Sequence, residues 1–230
     1  RAAIGDEDRP GLASGLRQLA RVASHLRERL SLDNWRALNR MTRPGVRGRR
    51  AVALAELLVE LDGTIAGFTA LSGYALDGMT RDPGWRFLSV GRRLERLQGL
   101  ATTLRQALDG PRDADLTWLL RLADSIITYR ARYMARPEWL PVLDLLIRDS
   151  ANPRSIAFQV NGLFDYVQRL VDLFGEFGDE RFGDALATLA GIDPGRDLQP
   201  GSEQLGRLLE SWHGASFRLA EQLGQRFFAH

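Results

Sequence analysis

Apolar side chains recur along residues 85–108 at alternating steps of three and four, which is the period of an amphipathic α-helix. The run WRFLSVGRRLERLQGLATTLRQAL carries this pattern from end to end. Asp82-Pro83-Gly84 begins the predicted helix, and Asp109-Gly110-Pro111 ends it. The apolar positions are Phe87, Val90, Leu94, Leu97, Ala101, Leu104 and Leu108.

The same period predicts helices along the rest of the chain, and no run of alternating residues predicts a strand. Ser31 is predicted to cap the second helix, and Asn152, followed by Pro153, to cap the one that starts there. Gly63, Gly67 and Gly73 lie inside a long helix, where we expect close approach to a neighbouring helix. The predicted helices cover about residues 12–30, 32–41, 51–79, 85–108, 113–135, 137–149, 152–174, 179–190 and 202–228.

These elements predict an all-α fold, an antiparallel multi-helix bundle with short connections. The chain of 230 residues is expected to form a single helical domain. Within it, residues 1–10 are predicted to be a linker or a frayed start, and 175–230 a less distinctive acidic helical tail. No run of about eighteen apolar residues occurs, so no membrane span is predicted.

The basic residues limit which cofactor and phosphate sites the chain can form, because all 31 of them are arginine and lysine is absent. A Walker A loop and a pyridoxal-phosphate Schiff base each need a lysine, so neither is expected here. Cysteine is absent too, which excludes disulfides and thiolate catalysis. Genome base composition explains much of the arginine excess. Any anion that the chain binds is nevertheless expected to meet guanidinium groups or helix N-termini.

Charge is spread unevenly along the chain, although the net charge is only +2. Residues 1–60 carry twelve arginines against seven acids, and residues 81–136 carry eleven against six. Residues 171–230 reverse the balance, with five arginines against ten acids. A nucleic-acid-binding protein shows a basic stripe with few compensating acids, so nucleic acid is not an expected partner.

The common catalytic and metal-binding signatures are missing. The three histidines, His25, His213 and His230, are far apart, and no HExxH motif occurs, so no metal site is predicted. GxSxG and GxGxxG are also absent. Catalytic residues are therefore unknown, with Glu95 and Asp124 as weak candidates.

Polar side chains nevertheless gather on two of the predicted helices. Arg86, Arg92, Arg93 and Arg96 crowd the first half of helix 85–108, with Glu95 among them. On the next helix, Ser125, Tyr129 and Arg132 align at steps of three and four. Such arginines usually form ion pairs between helices, and the acids available for this are Asp62, Asp77, Asp124, Asp144 and Asp149.

Arg154 is unusual, because the sequence places it in the first turn of the helix that starts near Asn152. The N-terminal end of a helix is electrostatically unfavourable for a cation. Arg154 is therefore expected to have an acidic partner or a bound anion.

Three segments in this order resemble the bacterial alpha-E family: RERLSLDNWRALNR, MTRDPGWRFLSVGRRLER and DSIITYRARYMARPEWLPVLDLLIRDSANPRSIAFQ. The resemblance covers roughly residues 15–170. Family members usually open with a helix of the type LGRYxERAE, of which VGRRLER looks like an internal echo. The chain lacks that opening helix, so we expect it to be a C-terminal portion of a longer protein.

The resemblance implies an all-helical protein encoded beside, or fused behind, a circularly permuted ATP-grasp ligase. Transglutaminase-like and proteasome-like peptidases often accompany this pair. We therefore expect an accessory domain of a cytoplasmic system that forms amide or peptide bonds. ATP and Mg would bind the ATP-grasp partner, and no cofactor is expected in this domain. Two alternatives remain open: a catalytic acyl-transfer domain with Glu95 or Asp124 as general base, and a non-catalytic scaffold for protein–protein interaction.

An arginine-rich groove is expected to bind an anionic substrate group or the partner ligase. If helix 85–108 and the following helix pack antiparallel, residues 92–96 lie level with residues 125–132. At least two of Arg92, Arg93 and Arg96 should then meet Arg130, Arg132 or Arg154 around one cleft. The binding candidates are Arg92, Arg93, Arg96, Arg130, Arg132 and Arg154, and the supporting residues are Arg86, Ser125, Tyr129 and Gln159.

Overall fold

The computed structural model describes residues 11–42, 53–110, 115–177 and 181–228. These ranges contain helices and turns but no strand, which confirms the predicted all-α fold. The chain divides into an N-terminal unit, residues 1–81, and a C-terminal unit, residues 82–230. Of the described helices, none is long and apolar enough to cross a lipid bilayer.

The N-terminal unit contains α1 (Leu12–His25), a 3₁₀ turn (Arg27–Arg29), α2 (Leu32–Thr42) and α3 (Leu54–Gly78). The helix predicted over 12–30 therefore ends at His25 and is followed by the separate turn. The predicted cap of α2 is confirmed, since Ser31 Oγ accepts a hydrogen bond from the Asn34 backbone N–H at 3.2 Å.

One of the three glycines of α3 permits close helix approach. A Cβ atom on Gly67 would overlap the side chain of Met41 in α2, so the two helices meet at this point. Among the described residues, nothing lies within 4 Å of a Cβ position on Gly63 or Gly73, so the predicted close approach is not seen at these two glycines. Much of the apolar surface of α3 is exposed, including Leu54, Leu58, Val59, Ile65, Phe68 and Leu76.

The C-terminal unit is a bundle built on α4 (Pro83–Leu108). As predicted, α4 begins after Asp82, whose Oδ1 accepts a hydrogen bond from the Trp85 backbone N–H at 2.9 Å. Its apolar stripe is buried against two other long helices. The remaining helices are α5 (Thr117–Leu122), α6 (Ile126–Tyr133), α7 (Trp139–Leu143), α8 (Ile156–Phe174), α9 (Arg181–Ala190), α10 (Pro194–Asp197) and α11 (Glu203–Phe227).

The core of this unit lies where α4 packs against α8 and α11. Leu97 and Leu104 of α4 are fully buried there, together with Leu163 of α8 and Trp212 of α11. Each full burial of a Leu side chain removes apolar surface from water and stabilises the fold by about 1.5–3 kcal/mol. α4, α8 and α11 therefore form the core of the C-terminal unit, and the shorter helices are arranged around them.

The helix predicted over residues 113–135 is broken in the structure. α5 ends at Leu122 and α6 starts at Ile126, with Asp124 between them in the left-handed region at φ 47°. The Ser125 backbone N–H reaches back to the Leu120 carbonyl at 2.8 Å and closes the turn. The periodicity of three and four continues through the break, so the sequence pattern alone did not reveal it.

A π-helical turn (Asp144–Arg148) follows α7, where one continuous helix over 137–149 was predicted. The wider turn buries three consecutive apolar side chains, Leu145, Leu146 and Ile147. A regular α-helix would direct three adjacent side chains around more than half of its circumference. The local widening therefore serves core packing.

Candidate functional site

The segment before α8 is held by a buried asparagine. Asn152 donates hydrogen bonds from Nδ2 to the Leu145 carbonyl at 3.1 Å and to Ser125 Oγ at 3.2 Å. Its Oδ1 accepts a hydrogen bond from the Arg154 backbone N–H at 3.1 Å. Asn152 thus ties three segments together and fixes the backbone at Arg154. It was predicted to cap α8 and does not, because the helix starts later.

Ser155 is the actual cap of α8. Its Oγ accepts a hydrogen bond from the Phe158 backbone N–H at 3.0 Å and donates one to the Asp149 carbonyl at 2.5 Å. Arg154 therefore lies one residue before the cap and not inside the first helical turn. The predicted position was wrong by a few residues, since a serine with two local hydrogen bonds outcompetes an asparagine that is used in the core.

Arg154 has the acidic partner that was expected for it. Its Nη2 lies 2.7 Å from Oδ2 of Asp124, in the break between α5 and α6. The Asp124 side chain is 73% exposed and that of Arg154 is 41% exposed, so this pair is accessible to solvent. An exposed pair of this kind stabilises a protein by about 0–1 kcal/mol.

Arg96 approaches Arg154 from α4 and borders a cleft of about 270 Å³ with it. Gly99 and Thr103 continue the α4 wall, and the end of α5 supplies the other side. The lining residues are Arg96, Gly99, Leu100, Thr103, Leu122, Ala123, Arg154 and Gln159. One end of the cleft is therefore cationic, and its walls are largely aliphatic.

The surroundings of Arg96 are unfavourable for its positive charge. Burial lowers the pKa of the Arg96 guanidinium below its ordinary value. The positive charge of Arg154 lowers this pKa further, and so do Arg92 and Arg93, in that order. Only Glu95 acts in the opposite direction, and it is exposed outside the cleft lining. Among the described residues, no hydrogen bond or ion pair reaches the Arg96 side chain.

Arg93, one helical turn before Arg96, forms what we call the clasp with Phe158, Gly162 and Tyr166. Its Nη1 donates to the Phe158 carbonyl at 3.0 Å, and its Cζ lies 4.8 Å from the Phe158 ring centroid and 5.4 Å from that of Tyr166. A Cβ atom on Gly162 would lie only 2.6 Å from Nη1 and 2.7 Å from Nε, so the guanidinium fills the place of a side chain.

Gln159 connects the clasp to the cleft. It is 1% exposed, and its Oε1 accepts a longer hydrogen bond of 3.4 Å from Arg93 Nη1. Its Nε2 donates to the Pro153 carbonyl at 2.5 Å. The side-chain amide is thus held from both ends at the border of the cleft.

The remaining candidates lie elsewhere. Arg132 pairs with Asp149, and Arg130 is exposed on α6 without lining the cleft. Arg86 is half-buried near the start of α4 and does not border the cleft either. The structure therefore brings Arg96 together with Arg154 but not with Arg130 or Arg132, because the helix break separates α6 from the end of α5.

Two of the predicted supporting residues are structural. The buried Tyr129 donates from its hydroxyl to the Arg136 carbonyl at 3.1 Å and accepts from the Glu138 backbone N–H at 3.2 Å. Ser125 is fully buried and donates to the Ala123 carbonyl at 3.0 Å. Both side chains stabilise the turns that surround α6.

A second cleft, of about 300 Å³, is lined by two arginines and three acids, namely Arg105, Arg207, Asp109, Glu203 and Glu210. Arg105 there contacts Glu210 at 3.1 Å and Asp109 at 2.6 Å, and both hydrogen bonds raise the pKa of its guanidinium. Arg207 contacts Glu203 at 3.3 Å. Since each cation already has an acidic partner, this cleft is not an attractive site for an added anion.

Several site residues were missed by the sequence reasoning. Phe158, Gly162 and Tyr166 recur at steps of four, which places them on one face of α8. This spacing, with a glycine between two aromatic residues, could have indicated a place for an arginine side chain. It is equally typical of an ordinary apolar stripe. In the part of the chain that the structure describes, no cluster of His, Asp or Glu side chains could hold a metal ion.

The model of the Alpha-E family, described as "a predicted alpha-helical domain with a conserved ER motif", matches residues 1–228. The match extends well beyond the segment 15–170 on which the resemblance was recognised. The chain contains the Glu-Arg step three times, at Glu28-Arg29, Glu95-Arg96 and Glu180-Arg181.

Similar proteins include the uncharacterized protein Rv2567 of Mycobacterium tuberculosis, which is 30% identical over 197 residues. The uncharacterized protein Mb2597 of Mycobacterium bovis has the same identity over the same length. The alignment covers 80% of this chain but only 22% of each relative, so the chain spans about a fifth of the length of these proteins. No solved structure matches the chain.

Proposed function

The chain belongs to the Alpha-E family, and on that basis we propose that it is an accessory helical domain whose cleft binds an anionic group of a substrate. One observation carries this proposal. Arg96 and Arg154 border the same cleft, while Asp124 compensates only Arg154. A second negative charge at this point would relieve the repulsion between the guanidinium groups. Arginine is well suited to this task, because its planar fork binds carboxylates and phosphates with two hydrogen bonds.

The proposed setting is a larger system that forms amide or peptide bonds. The family resemblance supports a circularly permuted ATP-grasp partner, as another domain of the same protein or as a separate subunit. The greater length of the relatives is compatible with a domain that works beside others. ATP and Mg would bind that partner, since this chain lacks lysine and a phosphate-binding loop. Transglutaminase-like and proteasome-like peptidases, and a cytoplasmic location, belong to the same proposal.

The catalytic alternative has less support. A general base needs a carboxylate oxygen that can reach a substrate proton. Asp124 already uses an oxygen in its pair with Arg154, and Glu95 does not line the cleft. The scaffold alternative has a separate observation in its favour, namely the exposed apolar side chains of α3, of which Val59 is 72% exposed.

Anion binding to the full chain tests the cleft. We expect inorganic phosphate and acetate to bind in the millimolar range at low ionic strength. Arg96→Gln should weaken both by about tenfold, because a hydrogen bond to a charged group contributes roughly 1.5–3 kcal/mol. Arg130→Gln, an exposed arginine outside the cleft, is the matched control and should leave affinity unchanged. Equal affinity of wild type and Arg96→Gln would show that the anion binds elsewhere.

The accessory role has its own test. Calorimetric titration of the chain with Mg-ATP should give no binding signal, because ATP is assigned to the partner. Micromolar binding with turnover would instead support the catalytic alternative. Co-purification with an ATP-grasp protein that requires Arg96 would connect the cleft to the ligase system.

A further inference from the structure

The walls of the cleft, and not only its charge, limit what can bind there. Leu100 of α4, Leu122 of α5 and Ala123, which follows α5, line it together with the two arginines. Leu122 is 66% exposed although it lies beside a concave surface. A compact, strongly hydrated anion such as phosphate would leave the exposed parts of these aliphatic side chains in water. A ligand with an aliphatic body would bury them.

The cationic end already accepts one kind of anion. Arg154 holds the Asp124 carboxylate at 2.7 Å, which shows that its guanidinium can reach a carboxylate at the rim of the cleft. Arg96 provides a second guanidinium with no acidic partner among the described residues. A carboxylate bound beside Arg96 would balance the charge, with two carboxylates against two arginines. A phosphate dianion would bring one negative charge more than these two arginines balance.

The cleft is small for a ligand site. Its volume of about 270 Å³ lies just below the range of roughly 300–1,000 Å³ that is typical of pockets for drug-sized ligands. This space suits a carboxylate that carries a short acyl chain or one branched aliphatic side chain.

We infer that the cleft binds a carboxylate with a short aliphatic body, its charged end on Arg96 and Arg154 and its chain against Leu100 and Leu122. This inference rests on the proposed function, because it names the ligand class of the same cleft. Such a group could come from a free carboxylic acid or from the C-terminal aliphatic residue of a peptide. Both sources share the chemistry that the cleft would recognise.

The test is an NMR titration of the ¹⁵N-labelled full chain, followed at the amides of Gly99 and Ala123. The probes are acetate, butyrate, hexanoate, N-acetylleucine and inorganic phosphate at constant ionic strength. Affinity should rise about twofold for each added methylene, because full burial would give about fourfold and this cleft is open on one side. Phosphate should bind no more tightly than acetate. Tighter binding of N-acetylleucine than of hexanoate would identify a peptide C-terminus as the source, and the reverse order a free acid.

Leu122→Ser separates the wall from the charge. It should remove the dependence of affinity on chain length, and the exposure of Leu122 makes misfolding no obstacle. Ile127→Ser, at a 79% exposed position of α6 outside the cleft lining, is the control and should behave as wild type. Tightest binding by phosphate with no gain from chain length would overturn the ligand class but keep the anion site. No saturable shift with any probe would overturn the proposed function as well.

Discussion

Arg93 in the clasp and Arg96 in the cleft lie one turn apart on α4, are both half-buried, and have opposite surroundings. The clasp surrounds Arg93 with two aromatic faces and a backbone carbonyl. Arg96 has like charges nearby and no partner among the described residues. Arg93 is therefore a structural residue, whereas Arg96 is a potential binding group. The difference comes from the side chains that the neighbouring helices place around each guanidinium.

The clasp balances a charge without using an acid. Aromatic faces and carbonyl oxygens carry partial negative charge, so a guanidinium between them is stabilised without an ion pair to any described carboxylate. Gly162 makes this geometry possible, because any side chain there would occupy the space of the guanidinium. The cleft has no equivalent arrangement around Arg96, which is why an external anion is the expected counterpart.

Replacing each arginine by glutamine should separate the two regions most clearly. Arg93→Gln loses the hydrogen bond to the Phe158 carbonyl and the contacts with both rings. We expect the free energy of unfolding to fall by about 2 kcal/mol. The melting temperature should then drop by about 5 °C for a protein of this size. Arg96→Gln should change stability by less than about 0.5 kcal/mol, or raise it, because it removes a charge from like neighbours.

Differential scanning calorimetry of both variants at neutral pH measures this contrast. Similar destabilisation by the two substitutions would remove the distinction, since Arg96 would then be as structural as Arg93.

Gly162→Ala tests whether the space that Gly162 leaves in the clasp is needed to hold the Arg93 guanidinium. Alanine favours the helix by about 1 kcal/mol, yet its Cβ would displace the Arg93 guanidinium and break its contacts. We expect a net loss of about 1 kcal/mol in the wild-type background. In an Arg93→Ala background the same change should stabilise by about 1 kcal/mol, because only the helix preference remains. Urea denaturation of the wild type, Gly162→Ala, Arg93→Ala and the double variant gives the coupling energy between the two positions. A coupling energy near zero would mean that the space at Gly162 does not hold the guanidinium.

The smallest expected effect on stability comes from Asp124→Asn. Asparagine tolerates the left-handed backbone of this position about as well as aspartate, and the lost ion pair is exposed. We expect a change below about 0.5 kcal/mol. Acetate should bind the cleft several times more tightly, because the carboxylate that competes for Arg154 is gone.

Asp144→Asn is the matched control, since it removes the ion pair of 2.7 Å with Arg148 away from the cleft lining. It should not alter acetate affinity. Weaker binding by Asp124→Asn would instead assign this carboxylate the role of orienting Arg154 for the ligand.

Some of the site could be predicted from the sequence. The expectation that Arg154 has an acidic partner is confirmed, although Arg154 lies before the helix cap and Asp124 meets it from the break between α5 and α6. Arg96 borders a cleft, but α4 packs mainly against α8 and α11 and not against the next helix in the chain, on which the prediction was based. The cleft nevertheless lies level with Leu122 and Ala123 and not with residues 125–132. This shift follows from the break at Asp124, which apolar periodicity does not register.

What the sequence determined by itself is short-range. Periodic apolar positions specified the all-α class, and Ser31 and Asp82 specified helix starts, because a cap acts within about three residues. The roles of Arg93 and Arg96 were decided only by the tertiary structure. Phe158, which contacts Arg93, and Arg154, which borders the cleft with Arg96, lie more than fifty positions away in the sequence. The burial of Arg96 exists only once the helices have packed.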